Sequence, residues 1–314
     1  MKELNLNYLF IFLFIAGCSH TKIPQKSELN SNEFISIVYT SQLNGQLKDC
    51  GCSHDPKGGL SAREKHYKNI QEIIPNMILL DSGASIFEGN NFKYPPKNKD
   101  EDLIEAKTLL SFHKKLGYAA QALGLEEIKY GQSTIENLLL ESKIPGIASN
   151  INLDKNSPIK DHLEIDRNSK KIVIFSLISP RVLKNSNLKA IQPNEAITKQ
   201  IKKYPADLYV ILNNLEYTET LKLLSILSNT KTPVVILGSN SNNKSMLLQK
   251  KSNAIWIDSA SSYQSYGIIN LKIEKSNSKE LQIILPKEPC KKGQSGYPEL
   301  ADACYFNLET RINP

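Results

Sequence analysis

Histidine is scarce in this chain. Its 314 residues hold five: His20, His54, His66, His113 and His162. None falls at the end of an apolar, strand-like run, which excludes a histidine-built metal cage there. All five read as solvated residues in helices, loops or the N-terminal tether. Long apolar runs are also missing. The stretch 8–17 is only ten residues, about half of what a membrane-spanning helix needs. No internal repeat is visible. Cys304 is followed by Tyr305-Phe306-Asn307, so there is no Cys-x-x-Cys-His haem attachment. Basic residues occur in short runs such as Lys170-Lys171 and Lys202-Lys203, without interleaved aromatics. That argues against a nucleic-acid surface built on stacking platforms. The net charge of +7 reads instead as a basic surface suited to an anionic membrane.

What the sequence does contain begins at the N-terminus. Lys2 precedes the apolar run, which ends in Ile15-Ala16-Gly17-Cys18. A charged start, a short apolar core and small residues before a cut describe a secretory signal peptide. The tetrapeptide resembles the bacterial lipobox, which implies lipidation of Cys18. Several acyl chains on one cysteine give stable anchoring where one chain is marginal. Ser19, not aspartate, follows the cysteine. By resemblance to sorted lipoproteins this implies the outer membrane, facing the periplasm. The expected organisation is a signal peptide at 1–17, a flexible polar tether at 18–33, one domain at 34–286 and a cysteine-bearing tail at 287–314.

Four further cysteines, Cys50, Cys52, Cys290 and Cys304, are an even number in an oxidising compartment and are disulfide candidates with three possible pairings. Cys290 with Cys304 would close a short loop. Cys50 and Cys52 could join each other only with strain, or each could reach the C-terminal pair. Metal or redox use of the four, with His54 beside Cys50-Gly51-Cys52, is the alternative.

Along the rest of the chain, apolar runs alternate with amphipathic segments. Strands are expected at 34–39, 77–80, 172–178, 208–212, 234–237, 255–258, 268–273 and 281–285. Helices are expected at 62–74, 102–116 with a stop at Gly117, 134–142, 196–203 and 218–227. Such alternation argues an α/β fold whose strand ends form the site face.

Several segments sit in order at those strand ends: Thr40-Ser41-Gln42-Leu43-Asn44-Gly45, Cys50-Gly51-Cys52, Gly58-Gly59-Leu60-Ser61-Ala62-Arg63, Leu79-Leu80-Asp81-Ser82-Gly83-Ala84, Leu116-Gly117-Tyr118-Ala119-Ala120 and Gly124-Leu125-Glu126-Glu127. Together they resemble the calcineurin-like metallophosphoesterases, closest to the periplasmic 5'-nucleotidase branch with Cys-Gly-Cys before Gly-Gly-Leu-x-x-Arg. The resemblance covers about 34–285 and implies a single four-layer α/β/β/α sandwich.

It also implies two metal ions on Asp, Asn and His side chains, clamping phosphate and activating water. Here the sequence departs from the family at each place. Asp-x-His becomes Gln42 and Asn44; Gly-Asp becomes Gly83-Ala84; Asn-His of Gly-Asn-His-Glu becomes Leu125-Glu126. The lone downstream histidine falls at Asn214, and the final His-x-His at Asn240 and Asn242. The glycines Gly45, Gly59, Gly83, Gly124 and Gly238 remain. A buried aspartate without its metal would cost several kcal/mol, so losing the aspartates with the imidazoles is physically coherent. The expected site is a neutral hydrogen-bonding pocket of vestigial metal positions, without catalytic residues or cofactor. Asp81 reads as a supporting residue; Glu126 and Glu127 read as paired locally or solvated. Full-length 5'-nucleotidases add a base-stacking domain, to which the resemblance does not extend, so none is expected here.

Three functions compete: a non-catalytic binding or scaffolding lipoprotein with an unknown envelope protein or ligand, a phosphoesterase with a weakly held divalent metal on oxygen ligands, and a thiol or metal function at Cys50 and Cys52.

Overall fold

The computed structural model describes residues 34–48, 59–87, 99–183, 188–238, 247–258, 267–275, 283–284 and 304–312. Two sheets stack face to face. The first follows β1 (Phe34–Thr40), β2 (Ile78–Asp81), β3 (Ala120–Ala122) and β4 (Gly146–Ile147), all parallel. β13 (Gly267–Lys275) runs antiparallel to β1, and β15 (Cys304–Ile312) and β14 (Ile283–Ile284) extend that side. The C-terminal segment that the sequence sets apart therefore contributes a strand. The second sheet has the order β11 (Leu247–Lys251), β12 (Ala254–Asp258), β10 (Val234–Leu237), β9 (Leu208–Asn214), β7 (Lys170–Ile178) and β6 (Leu163–Arg167). Its four inner strands are parallel and its outer two antiparallel. A two-stranded ribbon pairs β5 (Ile151–Asn152) with β8 (Lys189–Ala190).

Period-two alternation builds the layers. Ile35, Ile37, Tyr39, Ile78 and Leu80 of the first sheet meet Leu208, Val210, Leu212, Val235 and Leu237 of the second in the central core. The intervening residues face outward. Val38 and Leu79 pack on Tyr67 and Ile70 of α1 (Leu60–Ile73). Tyr209, Ile211, Val234 and Ile236 pack with α5 (Pro193–Lys203) and α6 (Tyr217–Leu227). A third apolar cluster gathers α2 (Lys99–Leu116), the short α3 (Leu125–Lys129) and α4 (Gln132–Ser142). The result is the expected four-layer α/β/β/α sandwich.

The long periodic elements, except the nine-residue β15, appear where the sequence places them, within a few residues. The short ones, β3 to β6, β8, β11 and α3, are additional. Parallel strands set all connections leaving them at one edge, so the loops after β1, β2, β3, β9 and β10 share that edge.

Candidate functional site

Backbone geometry defines this edge before any side chain does. The loops after β1 and β2 continue the strand ladder beyond the sheet. Ser82 N–H donates to Thr40 O at 2.8 Å, Gln42 N–H to Gly83 O at 3.0 Å, Asn44 N–H to Ala84 O at 3.1 Å and Gly45 N–H to Ser85 O at 2.9 Å. Holding both loops in this register forces Gln42, Asn44 and Ala84 into the left-handed region, at φ of 52°, 51° and 54°. Such conformations cost roughly 1–2 kcal/mol for an L-residue and persist only where the surroundings over-determine them.

One carboxylate supplies much of that determination. Glu127, in the first turn of α3, is completely buried. Its Oε1 accepts from Ser85 N–H (2.8 Å) and Ile86 N–H (2.9 Å). Its Oε2 accepts from Ala84 N–H (3.1 Å) and Gly124 N–H (2.7 Å). Burial pushes its pKa up, and the backbone N–H donors pull the other way. The approach works only with glycine at 124, because a Cβ there would lie 2.3 Å from Ala84 N. This corrects the sequence expectation for Glu127: the charge is neither solvated nor paired with a cation, since four backbone dipoles take that role. Glu126 does pair locally, with Lys129 at 2.8 Å.

Asp81, also fully buried, has a different set of partners. Oδ1 accepts from Gly83 N–H (2.8 Å) and Gln121 Nε2 (2.7 Å), and Oδ2 from Thr40 Oγ1 (2.7 Å). Burial pushes its carboxyl up to about 7 against these hydrogen bonds, with the Glu127 charge adding to the rise. Two branches lead inward from it. Tyr118 OH lies 3.0 Å from Thr40 Oγ1, whose own proton goes to Asp81, so the phenol donates. Gln121 spends its amide nitrogen on Asp81, so its Oε1 accepts from His113 Nδ1 at 3.1 Å. That contact fixes His113 as the Nδ1–H tautomer. The imidazole stacks on Tyr118 with centroids 4.0 Å apart and is 1% exposed, and burial pushes its pKa down to about 3. The expectation of a solvated His113 is corrected. So is that for His162, half-buried and stacked on Tyr204 at 3.7 Å. Arg63, from the Gly-Gly-Leu-x-x-Arg segment, interacts electrostatically with Tyr118 and Asp81.

The second sheet closes the edge. Asn214, buried at the end of β9, donates through Nδ2 to Ser82 O. A Cβ on Gly83 would lie 2.7 Å from that Nδ2. Asn213 donates to Gly238 O (2.9 Å) and Thr220 Oγ1 (3.1 Å), and Trp256 Nε1 also reaches Gly238 O (3.0 Å). Among the described residues, Ser82 Oγ and Asn213 Oδ1 are buried without a hydrogen-bond partner.

The structure thus brings together Gln42, Asn44, Ala84, Asn214 and the Gly124–Glu127 turn that carries Leu125 and Glu126. Asn240 and Asn242 lie outside the described residues, as do Cys18, Cys50, Cys52 and Cys290; only the strand backbone of Cys304 is described. The donors present do not fit the two-metal cage that the resemblance implies. Gln42, Asn44 and Asn214 offer amides, Ala84 and Leu125 offer nothing, Glu126 is bridged to Lys129, and the buried Asp81 and Glu127 accept three and four hydrogen bonds from N–H and O–H donors. Among the described residues no group of three His, Cys, Asp or Glu side chains is placed to hold a metal.

Sequence reasoning missed Glu127, Gln121 and His113. A Gly-x-x-Glu at a helix start is a capping signal that would have pointed to the first. Leu109 and Leu110, one helical turn before His113 on the buried face of α2, would have flagged the last.

No family model matches this sequence, and no curated protein matches it. Solved structures share its fold. The 5'-nucleotidase precursor of Thermus thermophilus is 17% identical over 75% of this chain and 50% of its own, with a TM-score of 0.60. The NAD nucleotidase of Haemophilus influenzae is 15% identical over 76% and 52%, with a TM-score of 0.60. The calcineurin-like phosphoesterase YfkN of Bacillus subtilis is 17% identical over 78% and 86%, with a TM-score of 0.58. The chain spans about half the length of the first two. It has the calcineurin-like phosphoesterase fold.

Proposed function

We propose that this chain is a non-catalytic, metallophosphoesterase-like module, lipid-anchored through Cys18 at the cell envelope, that binds a partner or ligand. One observation carries the reading. The strand-end loops keep an expensive left-handed backbone and its close glycine contacts, while the described positions that would hold metal carry amides, a methyl group, a leucine and, at Glu126, a carboxylate already bridged to Lys129 at 2.8 Å. The two buried carboxylates, Asp81 and Glu127, accept three and four hydrogen bonds from protein donors. Carboxylates so engaged are committed to ordering the protein's own loops, and neutral oxygen ligands alone hold divalent cations poorly. Without a bound ion no water is brought to a near-neutral pKa. The scaffold is suited to presenting shape and hydrogen bonds.

The test is metal content and turnover of the purified protein. Elemental analysis after manganese loading should give no stoichiometric ion. Nucleotides and a model phosphodiester should remain intact in the presence of manganese. Manganese-dependent hydrolysis that disappears in Asn44→Ala would overturn the reading. Membrane fractionation of Cys18→Ser, with release expected, tests the anchor separately.

A further inference from the structure

The edge opposite the strand-end loops has its own chemistry. The parallel strands enter the sandwich there, and the two sheets are tied together at that edge by Asn168 Nδ2, which donates to Phe34 O at 2.7 Å. Phe34 is the first described residue, so the preceding chain joins the domain at this edge. Six of the connections that lead into strands each place a lysine here. Lys114 precedes β3, Lys143 precedes β4, Lys170 opens β7, Lys202 precedes β9, Lys231 precedes β10 and Lys251 ends β11 before β12. All are exposed except Lys170, which is half-exposed. The described acidic residues are fewer: Glu141 and Asp166 are exposed in these connections, Asp207 before β9 is half-exposed, and Glu72 stands exposed before β2. Glu141 is already bridged to Lys107 at 2.9 Å.

Helix C-termini favour cations, which accounts for Lys114, Lys143 and Lys202. It does not account for Lys170, Lys231 and Lys251, which stand in turns and strand ends. Separate lysines from both sheets therefore share one edge without a common local cause. We infer that this edge is a docking surface for an anionic phospholipid bilayer, so that the strand-end loops point away from the membrane. The charge complementarity fits lysines spread across a broad face rather than gathered in a pocket. The inference rests in part on the anchor reading above. Fifteen residues, Ser19 to Glu33, separate Cys18 from Phe34, and at about 3.5 Å each they could extend to roughly 50 Å. Such a linker permits many orientations, and the charged edge selects one, within a Debye length of about 8–10 Å from the lipid surface.

The experiment is a lysine footprint. The full chain, purified in detergent, is reconstituted into vesicles of phosphatidylcholine alone or with 30% phosphatidylglycerol as the anionic component. Surface amines are then pulse-acetylated and read by mass spectrometry. Lys143, Lys170, Lys202 and Lys231 should react at least threefold more slowly on anionic vesicles than on neutral ones. Lys65 and Lys222, on the outer helices, should not change. Raising salt to 0.5 M should remove the protection, which burial by protein would survive. In a Lys143→Glu/Lys170→Glu/Lys202→Glu/Lys231→Glu variant, Lys114 and Lys251 should lose their dependence on lipid composition. Equal rates on both vesicles, or protection that persists in this variant, would overturn the surface. A chain that fails to float with neutral vesicles refutes the anchor alone; its flotation with anionic vesicles still reads the surface, and flotation with neither refutes both.

Discussion

The two edges of this sandwich use the same unusual backbone for different ends. Seven described non-glycine residues have positive φ. Lys143, Asn168, Ser169 and Ser252 lie at the edge where strands begin, in exposed or half-exposed helix ends and hairpin turns. Each closes a turn or helix end within its own connection, although the Asn168 side chain also reaches Phe34 O. Gln42, Asn44 and Ala84 lie at the edge where strands end, and are held by residues about 40 positions away in sequence. The first edge is built largely from separate turns, with its charge carried on exposed lysines, two of which, Lys114 and Lys251, also donate to Lys143 O and Ser225 Oγ. The second is a cooperative unit in which Glu127, Gly124, Asp81 and Asn214 fix one loop arrangement. Conformational strain alone therefore does not mark a site; strain imposed from a distance does.

The largest effect should come from removing the carboxylate that organises the second edge. Glu127→Ala leaves four buried N–H groups unmet, at about 1–3 kcal/mol each before relaxation. Urea denaturation should show a loss of about 4 kcal/mol or more. Glu127→Gln keeps one acceptor oxygen and should cost roughly half as much. Glu126→Gln removes only a part-buried i,i+3 pair with Lys129 and should stay within about 1 kcal/mol. Equal losses at 126 and 127 would erase the distinction between a local contact and a long-range organiser. Next in size, Gly124→Ala should cost about 2–3 kcal/mol, because the added methyl meets backbone at 2.3 Å and overpacking against backbone relaxes poorly.

The buried network makes a pH prediction whose sign differs between its two ends. Asp81 has its folded pKa raised to about 7 from 3.8. Its contribution is fully present below about pH 4 and is lost as pH rises through 7. His113 has its folded pKa lowered from 6.5 to about 3. Its contribution is present above 6.5 and is lost as pH falls through 3. Between about pH 4 and 6.5 the two slopes oppose each other. Asp81→Asn should therefore make stability fall more steeply on acidification through this window than in the wild type. His113→Gln should make it rise. Parallel curves of urea midpoint against pH for all three proteins would show that the network does not titrate as a linked pair.

How much of this was legible in the sequence follows the same division. Long elements with clean periodicity, such as β1, β7, β9, α2 and α6, were read to within a few residues because the pattern that buries them is local. The glycine-marked strand ends were found for the same reason, since Gly83 and Gly124 stand in short recognisable segments. β6 was missed because its alternation, Leu163 and Ile165 against Glu164 and Asp166, spans only five residues, and α3 because five residues carry no helical period. Glu127 and His113 were misread because their partners are backbone N–H groups and a glutamine amide on other elements. No spacing rule announces such partners.

The smallest prediction separates the two edges most directly. Asn168 and Ser169, at φ of 53° and 58°, form the two-residue turn between β6 and β7. That is the geometry of a type I′ hairpin, in which glycine is favoured at the second position. Ser169 is exposed, so Ser169→Gly loses no packing and should stabilise by about 0.5–1 kcal/mol, a rise in melting temperature of about 1–4 °C. Ala84→Gly relieves the same left-handed penalty, but Ala84 is only 8% exposed. Deleting its methyl gives back about 0.8 kcal/mol of burial, and the freer unfolded chain takes most of the remainder. The net change at 84 should lie within about 0.5 kcal/mol of zero. A gain at 84 equal to that at 169 would mean that the methyl is loosely packed and that the strand-end loops are no more tightly determined than a surface turn.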